Sequence, residues 1–455
     1  MDPPPIFKLN TDCLLEIFSY FHLREIEPLE LVCKRFQEVA QDAYRRYRTL
    51  DFDKLKDDCF YPVMLTEAKQ IARWVGPHVS TLKAKREAFK GYDDEAGRHE
   101  PDENIIEYIL SKCTKNLEHI VIEGFNLSSC IGLLCEIADN LKTIKLERCQ
   151  LNDDIGVVLK RATKLESLSL RGNEKILGTF LPDLKNLQEL NLQGCQKLHA
   201  NHFIAFCRSN GNLRYLNLIS WENVNQKCLR KIRGLQFLET LKIGHLMNKS
   251  GDLLILKDLP RLQDLELRCT NVDKLPTFLD SLVTSERLRY LDLYFRGTPR
   301  ALKSLTMFKS LKLLDIGHAD FRNPVLMKLS CKDTLEELNI SQNRCITSKF
   351  LCQFVLQCPK LKLIDIRECR NISDKFVEDL LPHLHERSVH LEVKAAQSKI
   401  SKDVEWKYNL HTHPKIQFNW SHECPEHLFT YFWDDSCDEE IDVEDDDEDY
   451  HPGFD

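Results

Sequence analysis

The sequence predicts an α/β solenoid: a small all-helical segment at the N-terminus, then a horseshoe of stacked units with parallel strands on its concave face. Three observations predict it. An L-x-x-L-x-L pattern recurs eleven times at near-constant spacing, a second apolar set at helical spacing follows the strands, and two amphipathic stripes precede the first recurrence.

The pattern begins at Leu117, Leu141, Leu165, Leu187, Leu213, Leu238, Leu262, Leu288, Leu311, Leu335 and Leu361, with successive starts 22 to 26 residues apart. A period in this range is the mark of a leucine-rich repeat. The physics accounts for the pattern. In L-x-L, alternation turns both leucines inward and the residue between them outward, as in a short strand. The return segments carry apolar residues at helical spacing, such as Phe376, Leu380 and Leu381, or Phe350, Leu351, Phe354 and Val355. One unit cannot bury its apolar face alone, whereas stacked units share a continuous core. A slot after the strand is often Cys or Asn (Cys149, Asn173, Cys195, Asn343, Cys369). At a bend, such a side chain bonds neighbouring backbone groups and packs as a ladder. Degraded units flank the array at Tyr47–Phe52, Val79–Ala84 and Glu386–Val393, as expected of repeats that cap a core. Polar, mixed-charge residues 85–103 read as an inserted loop.

Ahead of the repeats, Asn10, Thr11 and Asp12 are good helix caps. Leu14, Ile17, Phe18 and Phe21 then fall at i, i+3, i+4 and i+7, an apolar stripe on one short helix. Pro28 is expected to end or restart a helix, and Leu29, Val32, Cys33 and Phe36 repeat the same spacing. Helices this short make a poor independent core, so they need a partner surface.

These residues resemble an F-box. Leu9, the run Leu14-Leu15-Glu16-Ile17-Phe18-Ser19-Tyr20, then Val32-Cys33-Lys34-Arg35-Phe36 and Arg48-Thr49-Leu50 keep most of that family's apolar positions. The match covers roughly forty residues. It departs from the family where Leu9-Asn10 stands in place of the usual Leu-Pro, and where Pro28 interrupts the middle helix. The resemblance implies that the segment binds a Skp-type adaptor, which bridges to a cullin and a RING subunit. Carried over position by position, the adaptor-facing candidates are Leu9, Leu14, Leu15, Ile17, Phe18, Leu29, Val32, Cys33 and Phe36. An F-box followed by leucine-rich repeats recurs in that family, and units such as Cys358-Pro359-Lys360-Leu361 look like its cysteine-containing repeats. The implied role is a substrate-recognition subunit of an SCF-type cullin–RING ubiquitin ligase, with the repeats holding an unidentified protein target for ubiquitylation and degradation. The alternative is a repeat scaffold that binds proteins without directing ubiquitylation. A more distant one is a component of RNA or chromatin complexes.

The organisation expected is an F-box at 1–46, atypical repeats with the loop at 47–116 and leucine-rich repeats at 117–398. An aromatic C-terminal segment at 399–433 and an acidic, disordered tail at 434–455 follow. Outward strand positions are mostly polar, but a central group stands apart: Tyr215, Ile219, Trp221, Arg268, Tyr290 and Tyr294. Tyr, Trp and Arg dominate protein interfaces, which makes these the target-binding candidates. The other reading is that they cover ordinary sheet or lie beneath the chain's own C-terminal segment. Acidic Glu266, Asp292, Asp315 and Asp365 alternate with basic Lys145, Lys242 and Arg268. The face therefore has no uniformly basic stripe, which argues against nucleic acid.

Composition narrows the class. The net charge of −8 divides into thirteen acidic and no basic Lys or Arg residues in 434–455, and 63 basic against 58 acidic elsewhere, a balance of about +5. No basic-then-apolar leader is seen at the start and no apolar run is long enough to span a membrane. Eighteen cysteines in such a chain read as reduced, buried thiols, placing it in the cytoplasm or nucleus. His411, His413, His422, Cys424 and His427 match no common zinc spacing, so neither metal nor cofactor is expected. Phosphate loops, serine elbows and metalloprotease motifs are absent, so the chain is expected to be non-catalytic.

Overall fold

The computed structural model describes residues 5–59, 62–90, 104–113, 116–244, 253–268, 275–283, 286–294, 299–319 and 321–421. The chain divides into two units, Met1–Trp420 and Ser421–Asp455, and every described element lies in the first.

One open parallel sheet of fifteen strands, added in sequence order, carries the architecture. The strands are β1 Thr49–Asp51, β2 Thr81–Lys85, β3 His119–Glu123, β4 Thr143–Glu147 and β5 Ser167–Ser169. They continue as β6 Glu189–Asn191, β7 Tyr215–Leu218, β8 Thr240–Ile243, β9 Asp264–Arg268 and β10 Tyr290–Tyr294. The last are β11 Leu313–Asp315, β12 Glu337–Asn339, β13 Leu363–Asp365, β14 Leu391–Lys394 and β15 Ile416–Asn419. The eleven leucine patterns become β3 to β13, and the three degraded units become β1, β2 and β14. The sheet pairs equivalent slots: Leu216, Leu241, Leu265, Leu291, Leu314, Leu338 and Ile364 stand in one register row, all fully buried. Each leucine thus completes the cavity left by its neighbours, which is how a solenoid builds a core without any unit being stable alone.

The Cys and Asn slots do what their chemistry suggests. The Cys149 thiol donates to the carbonyl oxygens of Ile122 (3.5 Å) and Glu147 (3.2 Å), Cys195 to Leu170 (3.3 Å) and Cys369 to Ile340 (3.1 Å). Asn173 does more. Its Nδ2 donates to the Leu146 and Leu170 carbonyls, and its Oδ1 accepts from the Cys149 and Leu151 amides, each at 2.7–3.0 Å. These bonds satisfy backbone groups that the bend removes from the sheet, where an orphan would be costly.

Three helices precede the sheet: α1 Thr11–Phe18, α2 Leu23–Glu30 and α3 Lys34–Tyr44. Asn10 caps α1 by accepting from the Cys13 amide at 2.8 Å. Pro28 neither ends nor restarts a helix; it lies inside α2, whose last residue is Glu30. The break comes later, at the Leu31-Val32 turn, where Cys33 is fully extended ahead of α3. The stripe Leu29, Val32, Cys33 and Phe36 therefore spans two helices and a turn. It is not one helical face.

Residues 86–90 form a turn and a short strand, Phe89–Lys90, paired with Val63–Met64; the rest of the expected loop, 91–103, lies outside the described residues. At the other end, β15 falls within the aromatic C-terminal segment and pairs with β14. Residues 422–433 and the acidic run lie outside the described residues.

Candidate functional site

The concave face is built from residues between the buried leucines. Register sets three rows across its centre. The first joins Tyr215, Thr240, Asp264 and Tyr290; the second joins Asn217, Lys242, Glu266, Asp292, Asp315, Asn339 and Asp365; the third holds Arg268 beside Tyr294. Most charges here are already engaged. Glu266 accepts from Lys242 at 3.1 Å and from Arg268 at 2.6 Å. Asp365 is held by Arg367 at 2.6 Å, and Asp315 accepts from Asn339 Nδ2 at 2.8 Å and the Gly317 amide at 3.0 Å. Asp292 has no such partner among the described residues. Burial, and then the Asp315 and Glu266 charges, hold its carboxyl well above the usual carboxylate range. Burial likewise pushes Asp315 up to about 6.

The target-binding candidates separate on this face. Tyr290 and Tyr294 are 42% and 39% exposed, and the Arg268 guanidinium sits 5.7 Å from the Tyr294 ring. Tyr215 is half-buried, its hydroxyl 3.5 Å from Asn217 Nδ2. Arg268 faces the same side but is buried by its bond to Glu266. Ile219 and Trp221 do not belong to the surface. Both are buried, the Trp221 indole donating to the Leu198 carbonyl at 2.8 Å and packing edge-on against Phe203. The left-handed turn at Ser220, φ 60°, carries the chain off the strand and directs that ring into the core.

The N-terminal helices divide in the same way. Leu14, Leu15, Phe18 and Phe36 are buried within the chain, with the Phe18 and Phe36 rings edge-to-face at 5.5 Å. Leu9, Ile17, Leu29 and Cys33 are partly covered, and Val32 is exposed. Beside Val32 lies Leu31, 86% exposed, and Tyr20 in the turn after α1 is 81% exposed. Leu31 and Val32 are thus adjacent bare apolar side chains in the turn between α2 and α3.

Residues 11–53 match the F-box-like family model.

No curated protein matches the chain. Among solved structures it is similar to an internalin from Listeria monocytogenes, at 16% identity over 79% of this chain and 89% of that one, TM-score 0.41. It is similar to a leucine-rich-repeat protein of Leptospira interrogans, at 15% identity, 84% and 97% coverage, TM-score 0.40. It is also similar to a structure of Rad7 and Elc1 in yeast, at 15% identity, 74% and 91% coverage, TM-score 0.45. The repeat architecture rests on the strand ladder itself and not on these likenesses.

Within the F-box-like segment, residue spacing alone missed Tyr20 and Leu31. The available signal was the doublet Leu31-Val32 between two helices, where burying both residues within the chain would need two stripes at once. The segment is fastened to the first repeats by an Arg24–Glu67 ion pair and by Tyr44 stacked on Trp74 at 5.1 Å. Nucleophilic chemistry finds no support in the repeat thiols. Burial pushes those of Cys149, Cys195 and Cys369 up to about 12, far from the range in which a thiolate forms. Among the described residues no group of His, Cys, Asp and Glu could hold a metal ion, and no helix is long and apolar enough to cross a membrane.

Proposed function

We propose that the chain is a non-catalytic substrate receptor of an SCF-type cullin–RING ubiquitin ligase. Its F-box-like segment docks a Skp-type adaptor, which brings the cullin and RING subunits, and its concave face holds a protein target. The observation that carries this reading is the F-box-like match at residues 11–53, with Leu31 and Val32 left bare, directly ahead of a leucine-rich-repeat sheet. The adaptor surface centres on Leu31, Val32 and Tyr20, with Leu9, Ile17, Leu29 and Cys33 at its edge. Leu14, Leu15, Phe18 and Phe36 act beneath it, fixing the helices that present it.

The target surface centres on Tyr290, Tyr294 and Tyr215. Aromatic side chains on a rigid sheet lose little entropy on binding, and large exposed rings supply most of the area in an interface hot spot. Adaptor co-purification with the full chain tests the first half, using a Leu31→Asp, Val32→Asp double variant as control. Loss of adaptor in the control supports the reading, whereas equal recovery sinks it. Half-lives of captured proteins after depletion of the chain test the second half. Unchanged half-lives would leave a scaffold that binds without directing ubiquitylation.

A further inference from the structure

We propose that the concave face across β8 to β11 takes a basic segment of a protein partner, with one lysine or arginine side chain seated on Asp292 between Tyr290 and Tyr294. This rests on the proposal that the concave face is the target-binding side, and it specifies the chemistry of the target.

Acidic groups outnumber basic ones on this part of the face. Asp264, Glu266, Asp292 and Asp315 lie on three consecutive strands, β9, β10 and β11, with Lys242 and Arg268 the cations among them. Four carboxylates against two cations leave two negative charges in excess when all are ionised. Both cations bond Glu266, Lys242 at 3.1 Å and Arg268 at 2.6 Å. Burial raises Asp264 and the Lys242 charge offsets part of that rise, while Asp315 has Asn339 and Gly317. Asp292, half-buried between Glu266 and Asp315 in the register row, has neither donor nor ion-pair cation of its own among the described residues. An ionised carboxylate in that position is unfavourable unless something positive arrives.

The second feature is the frame around it. Tyr290 and Tyr294 stand two residues to either side of Asp292, on the same strand and the same face, and both present exposed rings. The Tyr290 face attracts a cation, the Tyr294 ring, which already carries Arg268 and His318, walls the other side of its aliphatic stem, and the carboxylate supplies the counter-charge. An acidic occupant, including one like residues 434–455 of this chain, has the wrong sign for this face.

The groups facing Asp292 are Glu266, Asp315, Lys242 and Arg268. Burial raises Asp292, Asp315 and Asp264, so part of the row holds protons under mildly acidic conditions. A bound cation favours the ionised forms, and binding therefore releases protons and weakens as pH falls.

The test uses the full chain and a dye-labelled oligolysine peptide, with oligoglutamate as its counterpart, followed by fluorescence anisotropy. Asp292→Asn keeps the shape and removes the charge, and residues 434–455 add the same oligolysine binding to both proteins, so the concave site is read as the difference between the two titrations. Expected is a loss of about tenfold or more in oligolysine affinity for the variant, and weaker binding to the natural chain at about pH 5 than at about pH 7.5. Equal affinity of the two proteins would overturn the proposal, as would tighter binding of oligoglutamate to the natural chain than to the variant. Proteins captured from cells separate this from the parent reading. If Tyr290→Ala with Tyr294→Ala releases them and Asp292→Asn does not, the concave face binds targets but not through a basic group. If neither releases them, both readings fall.

Discussion

Leu31 offers the sharpest separation between binding and folding. In the free chain its side chain is 86% exposed, in the turn that joins α2 to α3. Fully burying a leucine contributes about 1.5–3 kcal/mol. Scaled by an 86% exposure, covering Leu31 with an adaptor is worth about 1.3–2.6 kcal/mol, so Leu31→Ala weakens the complex roughly 10- to 80-fold. Leu31→Asp adds the cost of an unpaired carboxylate in an apolar contact, several kcal/mol, for a loss of roughly a thousandfold or more. Neither change removes an internal contact, so stability should move by less than about 0.5 kcal/mol. The assay is isothermal titration of a Skp-type adaptor into purified chain, with thermal melts of each variant. Val157→Asp, at an apolar residue of the repeats that is 58% exposed, serves as the control and should bind normally. Leu31→Asp binding within about twofold of the natural chain would refute the assignment of this turn to the interface.

Phe18→Ala acts in the opposite way: its ring is internal, so the substitution should cost about 3–5 kcal/mol in denaturant unfolding and impair adaptor binding only through loss of the helices. Asn173→Ala leaves the Cys149 and Leu151 amides and the Leu146 carbonyl without that partner, and should cost about 1–3 kcal/mol per group left orphaned, read as a lower melting temperature. Asp315, raised from 3.8 to about 6, binds protons more readily folded than unfolded, so its contribution to stability is full below pH 3.8 and is lost as pH rises towards about 6. Comparing the natural chain with Asp315→Asn by denaturant melts on both sides of that window should show a difference on the order of 1–3 kcal/mol that vanishes in the variant; a pH-independent difference would contradict the burial argument.

The strands were legible because alternation is strict: each L-x-L puts two leucines inside, and equal slots in neighbouring units must then be neighbours in space. That rule also exposes the concave rows, since Lys242 and Glu266 occupy the same slot one unit apart and pair at 3.1 Å. What escaped was whatever broke periodicity. Strand β15 has Ile416 and Phe418 where the pattern asks for leucines. Trp221 lies past the strand end, where a left-handed residue and not alternation decides the direction of the side chain. Among the helices, spacing identified the stripes but not what covers them. Leu14 and Phe18 satisfy an amphipathic pattern equally well whether the partner is another chain or α3; both are buried within the chain, Phe18 edge-to-face with Phe36 of α3. Leu31, outside any stripe, became visible only once the turn had a place.

The fastening of the helices to the repeats bears on how such a receptor would work. Two different kinds of contact hold the seam. Arg24 and Glu67 form an ion pair in which Arg24 is nearly covered, and Tyr44 and Trp74 stack with their planes only 6° apart. Both contacts must break before the helices can swing away from the first repeats. From there the fifteen strands continue in sequence order without a break in pairing, and one row of buried apolar side chains, leucine in most strands and Ile120, Ile144, Ile364, Val393 and Phe418 in the others, crosses every junction. A cation held at Asp292 would thus stand at a nearly fixed distance from a partner bound at Leu31. Positioning of this kind requires no chemistry from the chain.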